Sequence, residues 1–196
     1  MKWLPLAAIQ RLIEAPDPST QAGRRDRAML LLMAIHGLRV SEVAGLTIDG
    51  LDLEGRRLTV TGKGRKTRII HLVDQSVDVL ARWLAVRPEL AREGEVAIFV
   101  SLHHPDPGTG LHTASIRYMV DRYLEALGLK REGVSCHALR HSFATLSRAA
   151  GARLDAISRE MGHASVTTTQ VYADIVDAAA ENPARFLVGA LGAASG

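Results

Sequence analysis

The chain has 196 residues, 47% of them apolar, which is enough for one ordinary domain with its own core. Its longest apolar run, Ala28 to Ile35, is far shorter than the roughly 20 residues that cross a bilayer, and the N-terminal MKWLPLAAIQ lacks the apolar core of a cleaved signal. The single cysteine, Cys136, excludes an internal disulfide framework and argues against a cysteine metal site, so the sequence reads as soluble and cytoplasmic. The formal net charge is only +3, but it is unevenly placed: Arg56, Arg57, Lys63, Arg65, Lys66 and Arg68 fall in one short stretch without an acid. Such a stretch is either a solvated loop or a surface for phosphate groups.

In chain order, LPLAAIQRLIEA from Leu4 has helical spacing and stops before the loop Pro16 to Thr20. Arg24 to Ile35 predicts a second, strongly apolar helix that His36-Gly37 ends, because glycine accepts the left-handed conformation of many helix ends. Ser41 is the expected N-cap of a short helix, Glu42 to Gly45, facing the core through Val43 and Leu46. From Thr47 to Val73 the period changes, and TIDGLDL, RRLTVTG and TRIIHLV read as short strands of a small antiparallel sheet with Lys63 on its second turn. Gln75 to Val86 returns to helical spacing, Ala97 to Ser101 reads as extended, and His103 to Gly110 as a loop. Helices are predicted over Ser115 to Gly128, Cys136 to Ala150, Leu154 to Met161 and Thr167 to Ala180, with Gly128, Gly151 and Gly162 at C-terminal positions.

The helix that opens near Ser135 contains CHALRH, where a spacing of three puts His137 and Arg140 on one face, within reach of one ligand. His137 and His141 also stand four apart, as in helical zinc pairs, but position 138 is Ala where that motif needs glutamate, so no metal is expected. Taken alone, His137 also fits a core histidine satisfied by a backbone carbonyl.

Arg39 in HGLRVSEVAGL, Lys63 in TGKGRKTRII, His137 and Arg140 in HALRHSFATL, His163 in MGHAS and Tyr172 in TTTQVYADI do not stand alone. Their order and surroundings resemble the catalytic domain of the tyrosine recombinases, also called phage integrases, from Leu4 to about Ala180. Each motif is weak, and six in order are specific. The resemblance implies a mainly α (α+β) fold: the helical catalytic domain of the DNA breaking-rejoining enzymes with a small three-stranded antiparallel sheet. It places that domain at residues 1–181 and a C-terminal tail at 182–196, whose segment Phe186 to Ala194 is expected to dock on a neighbouring protomer.

Phosphodiester chemistry explains why these residue types belong together. A tyrosine hydroxyl with a pKa near 10 is a poor nucleophile at neutral pH and needs a proton acceptor and a positive field. Attack on phosphorus loads negative charge onto the non-bridging oxygens, which two permanently charged guanidiniums, Arg39 and Arg140, meet with paired hydrogen bonds. By resemblance, Tyr172 is the nucleophile that forms a 3′-phosphotyrosyl link, and His163 gives a further hydrogen bond. Lys63 is the general acid for the leaving 5′ oxygen, and His137 accepts the tyrosine proton or holds the phosphate. Glu42 matches the acidic position that supports this histidine, and it reads equally well as a carboxylate favoured at a helix N-terminus. The resemblance implies site-specific cleavage and rejoining of double-stranded DNA by protomers assembled as a tetramer, with no metal, ATP or other cofactor.

Arg65, Lys66, Arg68, Arg117 and Arg122 are the expected DNA contacts, although solvated charge explains any single one of them. Tyr118 and Tyr123 are assigned to packing or to DNA. Most family members carry an N-terminal helical domain that grips the other side of the duplex, and the resemblance here begins directly at the catalytic domain, as in a fragment or a short member. With that half of the clamp absent, fewer phosphate contacts and a shallower salt dependence are expected. Met161 stands where leucine is usual before Gly-His, a volume-conserving change. Two rivals remain. A type IB topoisomerase would relax supercoils as a monomer without a target sequence, and a non-cutting DNA-binding protein would bind through the helices around Gly151 as a helix-turn-helix.

Overall fold

The computed structural model describes residues 3–103, 105–162 and 187. Helix α1, Leu6–Glu14, buries Ala8, Ile9, Leu12 and Ile13 along one stripe and ends before Pro16. Helix α2, Gln21–Ile35, starts a turn earlier than the spacing predicts because the Thr20 hydroxyl accepts the Gly23 N–H at 2.9 Å, a side-chain cap. From Ala28 onward α2 is buried on every side, and it packs against α1 and the three helices introduced next, so it is the axis of the domain. These are α3 (Val40–Ala44), α4 (Asp74–Leu84) and α6 (Cys136–Ala149).

Helix α3 corrects one expectation. Its N-cap is Arg39, and Ser41 is exposed within the first turn. The Glu42 carboxylate reaches back to accept the Arg39 N–H at 2.8 Å, satisfying a donor that a Ser41 cap would have left outside the helix. Val43 and Leu46 face the core as expected.

The three strands are β1 (Leu51–Asp52), β2 (Arg57–Thr61) and β3 (Thr67–His71), antiparallel in the order β1-β2-β3. Leu58 pairs with Ile70 and Val60 with Arg68, and Leu58, Val60 and Ile70 are fully buried, so one face of the sheet covers the core. The stretch Ala97 to Ser101 makes only single bridges, Thr47 with Ala97 and Val100 with Gly110, while Ile98, Phe99 and Val100 fill the core. The Trp83 ring stacks on Phe99 at 6.4 Å, and its indole N–H donates to the Ile98 carbonyl. Helices α5 (Thr113–Ala126) and α7 (Leu154–Met161) complete the described helices, of which none is long and apolar enough to cross a membrane.

The predicted helix Thr167 to Ala180 lies outside the described residues, as does the tail except for Leu187, which is buried in the chain's own core.

Candidate active site

Three chain segments meet at the C-terminal end of α2. Gly37 takes φ +62°, and a Cβ there would stand 2.5 Å from Cδ1 of the buried Phe143, so only glycine lets the HGLR turn close onto α6. Arg39 leaves this turn into α3, and Arg140 rises from α6 beside it. The Arg140 Nη1 donates to the Gly37 carbonyl at 2.5 Å, and its Nη2 donates to the Met161 carbonyl at 2.7 Å. The Arg39 Nη1 donates to the same Met161 carbonyl at 3.3 Å. Two arginines far apart in sequence are thereby fixed on one acceptor, at the last turn of α7. Arg140 is 8% exposed, whereas the Arg39 side chain is 39% exposed, so the pair runs from the interior to the surface.

Glu42 organises this pair. It is 2% exposed, and its Oε1 accepts from Arg39 Nη1 at 2.9 Å and from Arg68 Nη1 at 2.8 Å. Its Oε2 accepts from the Arg39 backbone N–H at 2.8 Å and from Arg68 Nη2 at 3.0 Å, and lies 4.0 Å from Arg140 Nη1. Burial pushes the Glu42 carboxyl up, but the Arg68 hydrogen bond, the Arg39 backbone N–H and the charges of Arg68 and Arg140 outweigh it and hold the group below its ordinary value. At neutral pH one carboxylate therefore sits among three guanidiniums and leaves a net positive field. The partners of Glu42 among the described residues are these arginines. The carboxylate is turned into the α3 turn and toward β3, where it supports the arginines directly.

His137 is exposed on α6, one turn before Arg140, with Nδ1 3.6 Å from the Cys136 sulfur. Burial raises the Cys136 thiol above its ordinary value, which keeps it protonated and unreactive. Lys63 opens the turn between β2 and β3, which passes through the left-handed residues Gly64 and Arg65 and is closed by the Gly62 N–H on the Lys66 carbonyl at 2.8 Å. The Lys63 side chain, His163 and Tyr172 lie outside the described residues, but α7 ends at Gly162, in the left-handed conformation, immediately before His163.

The expected DNA contacts divide. Arg65, Lys66 and Arg117 are exposed, whereas Arg68 is turned inward onto Glu42. Arg122 lies over the Tyr123 ring at 5.1 Å and 3.5 Å from the buried Asp26. The Tyr123 hydroxyl donates to Asp26 at 3.2 Å, and burial together with the Asp26 charge raises its pKa, so it packs as a neutral phenol. Tyr118 is 73% exposed.

Sequence reading did not single out two buried groups behind the arginines. His36, fully buried, joins Glu160 at 2.8 Å and Ser76 at 2.9 Å, tying α2, α7 and α4 together next to the Gly37 and Met161 carbonyls. The position of His36 beside Gly37 was visible in the sequence, but its partners are 124 and 40 residues away.

Residues 2–178 match the model of the phage integrase family, and the chain belongs to that family. It is 40% identical over 179 residues to the tyrosine recombinase XerD of Xanthomonas axonopodis pv. citri (strain 306), an alignment that covers 87% of this chain and 57% of that protein. It is 37% identical over 172 residues to the tyrosine recombinase XerC of Pelotomaculum thermopropionicum (strain DSM 13744 / JCM 10971 / SI), covering 85% of this chain and 55% of that one. The chain thus spans little more than half the length of these curated relatives. Among solved structures, XerA recombinase aligns over 100% of this chain and 66% of its own at a TM-score of 0.76 and 27% identity. The XerH site-specific recombinase in a pre-cleavage complex with its difH substrate aligns over 88% of this chain and 50% of its own, at a TM-score of 0.75 and 29% identity.

Proposed function

We propose that this chain performs the strand cleavage and rejoining of site-specific DNA recombination through a 3′-phosphotyrosyl intermediate on Tyr172. The observation that carries the reading is the convergence of Arg39 and Arg140 on the Met161 carbonyl, with Glu42 between them. Guanidiniums held in advance meet the charge that develops on the two non-bridging phosphate oxygens, and each such donor contributes about 3 kcal/mol by analogy with oxyanion holes.

In this reading the Tyr172 oxygen attacks phosphorus and gives its proton to His137. The bond from phosphorus to the 5′ oxygen breaks, and Lys63 protonates that oxygen. His163 donates to a non-bridging oxygen. The phosphotyrosyl ester replaces one phosphodiester bond by another, so the reverse attack of a 5′ hydroxyl reseals the strand without ATP. The arginines supply the positive charge that a metal gives other phosphoryl-transfer sites. The partner is double-stranded DNA, and exchange of strands between two duplexes requires four protomers. Similarity to XerC, XerD and XerH proteins supports recombination over topoisomerase-like relaxation.

The test is covalent trapping on nicked duplexes whose cleaved flap diffuses away, read as protein retained on DNA under denaturing conditions. An adduct that disappears in Tyr172→Phe is the expected result. Absence of an adduct from folded, DNA-bound protein overturns the reading in favour of a binding protein that does not cut.

A further inference from the structure

Arg68 belongs to the basic stretch between Arg56 and Arg68 but does not share its direction. On β3 it pairs with the fully buried Val60, and Ile70, two residues on, is also fully buried. With a period of two, Arg68 faces inward while Thr67 and Ile69 face out. An inward guanidinium needs acceptors. Its Nη1 and Nη2 donate to the two oxygens of Glu42 at 2.8 and 3.0 Å, the planar two-point pair that only arginine makes, and its Nε donates to the Glu160 carbonyl at 2.8 Å.

The place of this guanidinium matters as much as its bonds. A Cβ on Gly162 would stand 2.7 Å from Arg68 Nη1 and 2.9 Å from its Cζ, and a Cβ on Gly62 would stand 3.7 Å from Nη1. Arg68 therefore lies between the residue before Lys63 and the residue before His163, while it holds the carboxylate that holds Arg39.

We propose that Arg68 is a positioning residue for cleavage: it locks the Lys63 turn, the arginine pair and the turn that leads to His163 into one fixed arrangement, and it makes no bond to DNA. This rests on the function proposed above. Arg68 reaches the chemistry only through Glu42 and the end of α7. Its loss frees the Lys63 turn from α7 and leaves the Glu42 carboxylate without its two-point partner. A displacement of about 1 Å in such a site costs on the order of 100-fold in rate.

The test compares wild type, Arg68→Gln, Arg68→Lys and Lys66→Gln in two assays on the same duplex: the single-turnover rate of covalent trapping, and the salt dependence of DNA affinity. Arg68→Gln is expected to lower the trapping rate at least about tenfold at saturating DNA with Kd within about twofold. Its salt slope should equal that of wild type, whereas Lys66→Gln should reduce the slope by about 1. Arg68→Lys, which keeps the charge beside Glu42 and is less prone to unfold, should recover part of the rate. Three results overturn the proposal: a wild-type rate in Arg68→Gln; a slope reduced by about 1 with the rate at saturation intact, which makes Arg68 a phosphate contact; or a rate loss fully explained by the fraction unfolded in a melting curve. No adduct from the wild type itself overturns the proposed function and takes this inference with it.

Discussion

The surroundings of Glu42 and the turn between β2 and β3 are both rich in arginine and lysine, and they use that charge in opposite ways. Around Glu42 the guanidiniums of Arg39, Arg68 and Arg140 are bound to a carboxylate and to backbone carbonyls, and their positions are set before any ligand arrives. On the turn, Arg65 and Lys66 are exposed, and the backbone passes through two successive left-handed residues. The first arrangement suits stabilisation of a transition state, which needs donors already in place. The second suits attraction of a polyanion, for which charge counts and fixed geometry does not. Cation content alone does not separate the two, since Arg68 and Lys66 are neighbours in the same run.

The largest way to break this contrast is Arg140→Ala, which removes one guanidinium and leaves the Gly37 and Met161 carbonyls without that donor. The expected loss is about 100-fold to 1,000-fold in the single-turnover rate of phosphotyrosyl formation, with DNA affinity much less affected.

Glu42→Gln comes next, because it removes the buried negative charge that three guanidiniums face. A destabilisation of about 3 kcal/mol is expected in urea unfolding at neutral pH. The pH dependence sharpens the same point. The Glu42 carboxyl is depressed below its ordinary value of 4.5, so its contribution to stability is fully present above that value and is lost as pH falls through the lower folded pKa. The wild type should lose stability over that acid range more steeply than Glu42→Gln, as measured by urea midpoints against pH.

A smaller effect is expected from Gly162→Ala, where φ is +64° and the new methyl would press on the Arg68 guanidinium. About 1–2 kcal/mol should be lost, and thermal unfolding reads it. The smallest effect belongs to the exposed side of the contrast: Lys66→Gln should leave the melting temperature unchanged within about 1 °C and alter only the salt dependence of binding. A melting change in Lys66→Gln as large as that in Glu42→Gln would erase the distinction between the two regions.

Much of the fold was legible in the chain. Apolar spacing located the described helices to within a few residues, because burial of one stripe is a local pattern. The short strands followed from β-branched segments between turn residues. The α2 start and the α3 cap were misplaced, since each depends on one side chain reaching one backbone N–H, Thr20 to Gly23 and Glu42 to Arg39. In the site, the residue types and their order were readable, and so was the pairing of His137 with Arg140 on one helix. The inward turn of Arg68 had a signal that went unused: the alternation that buries Ile70 puts Arg68 on the same face.

By itself, then, the sequence determined which chemical groups are present, how they are ordered, and on which elements they ride, because periodicity and turn chemistry act over a few residues. Which cations face each other was decided only in the tertiary structure. The bonds that make the site join Arg140 to Gly37 across 103 positions, Arg39 to Met161 across 122, and Arg68 to Glu160 across 92. Contacts of that span follow from how α2, α3, α6, α7 and the sheet pack around one core, and no local pattern encodes the direction in which a guanidinium then finds its acceptor.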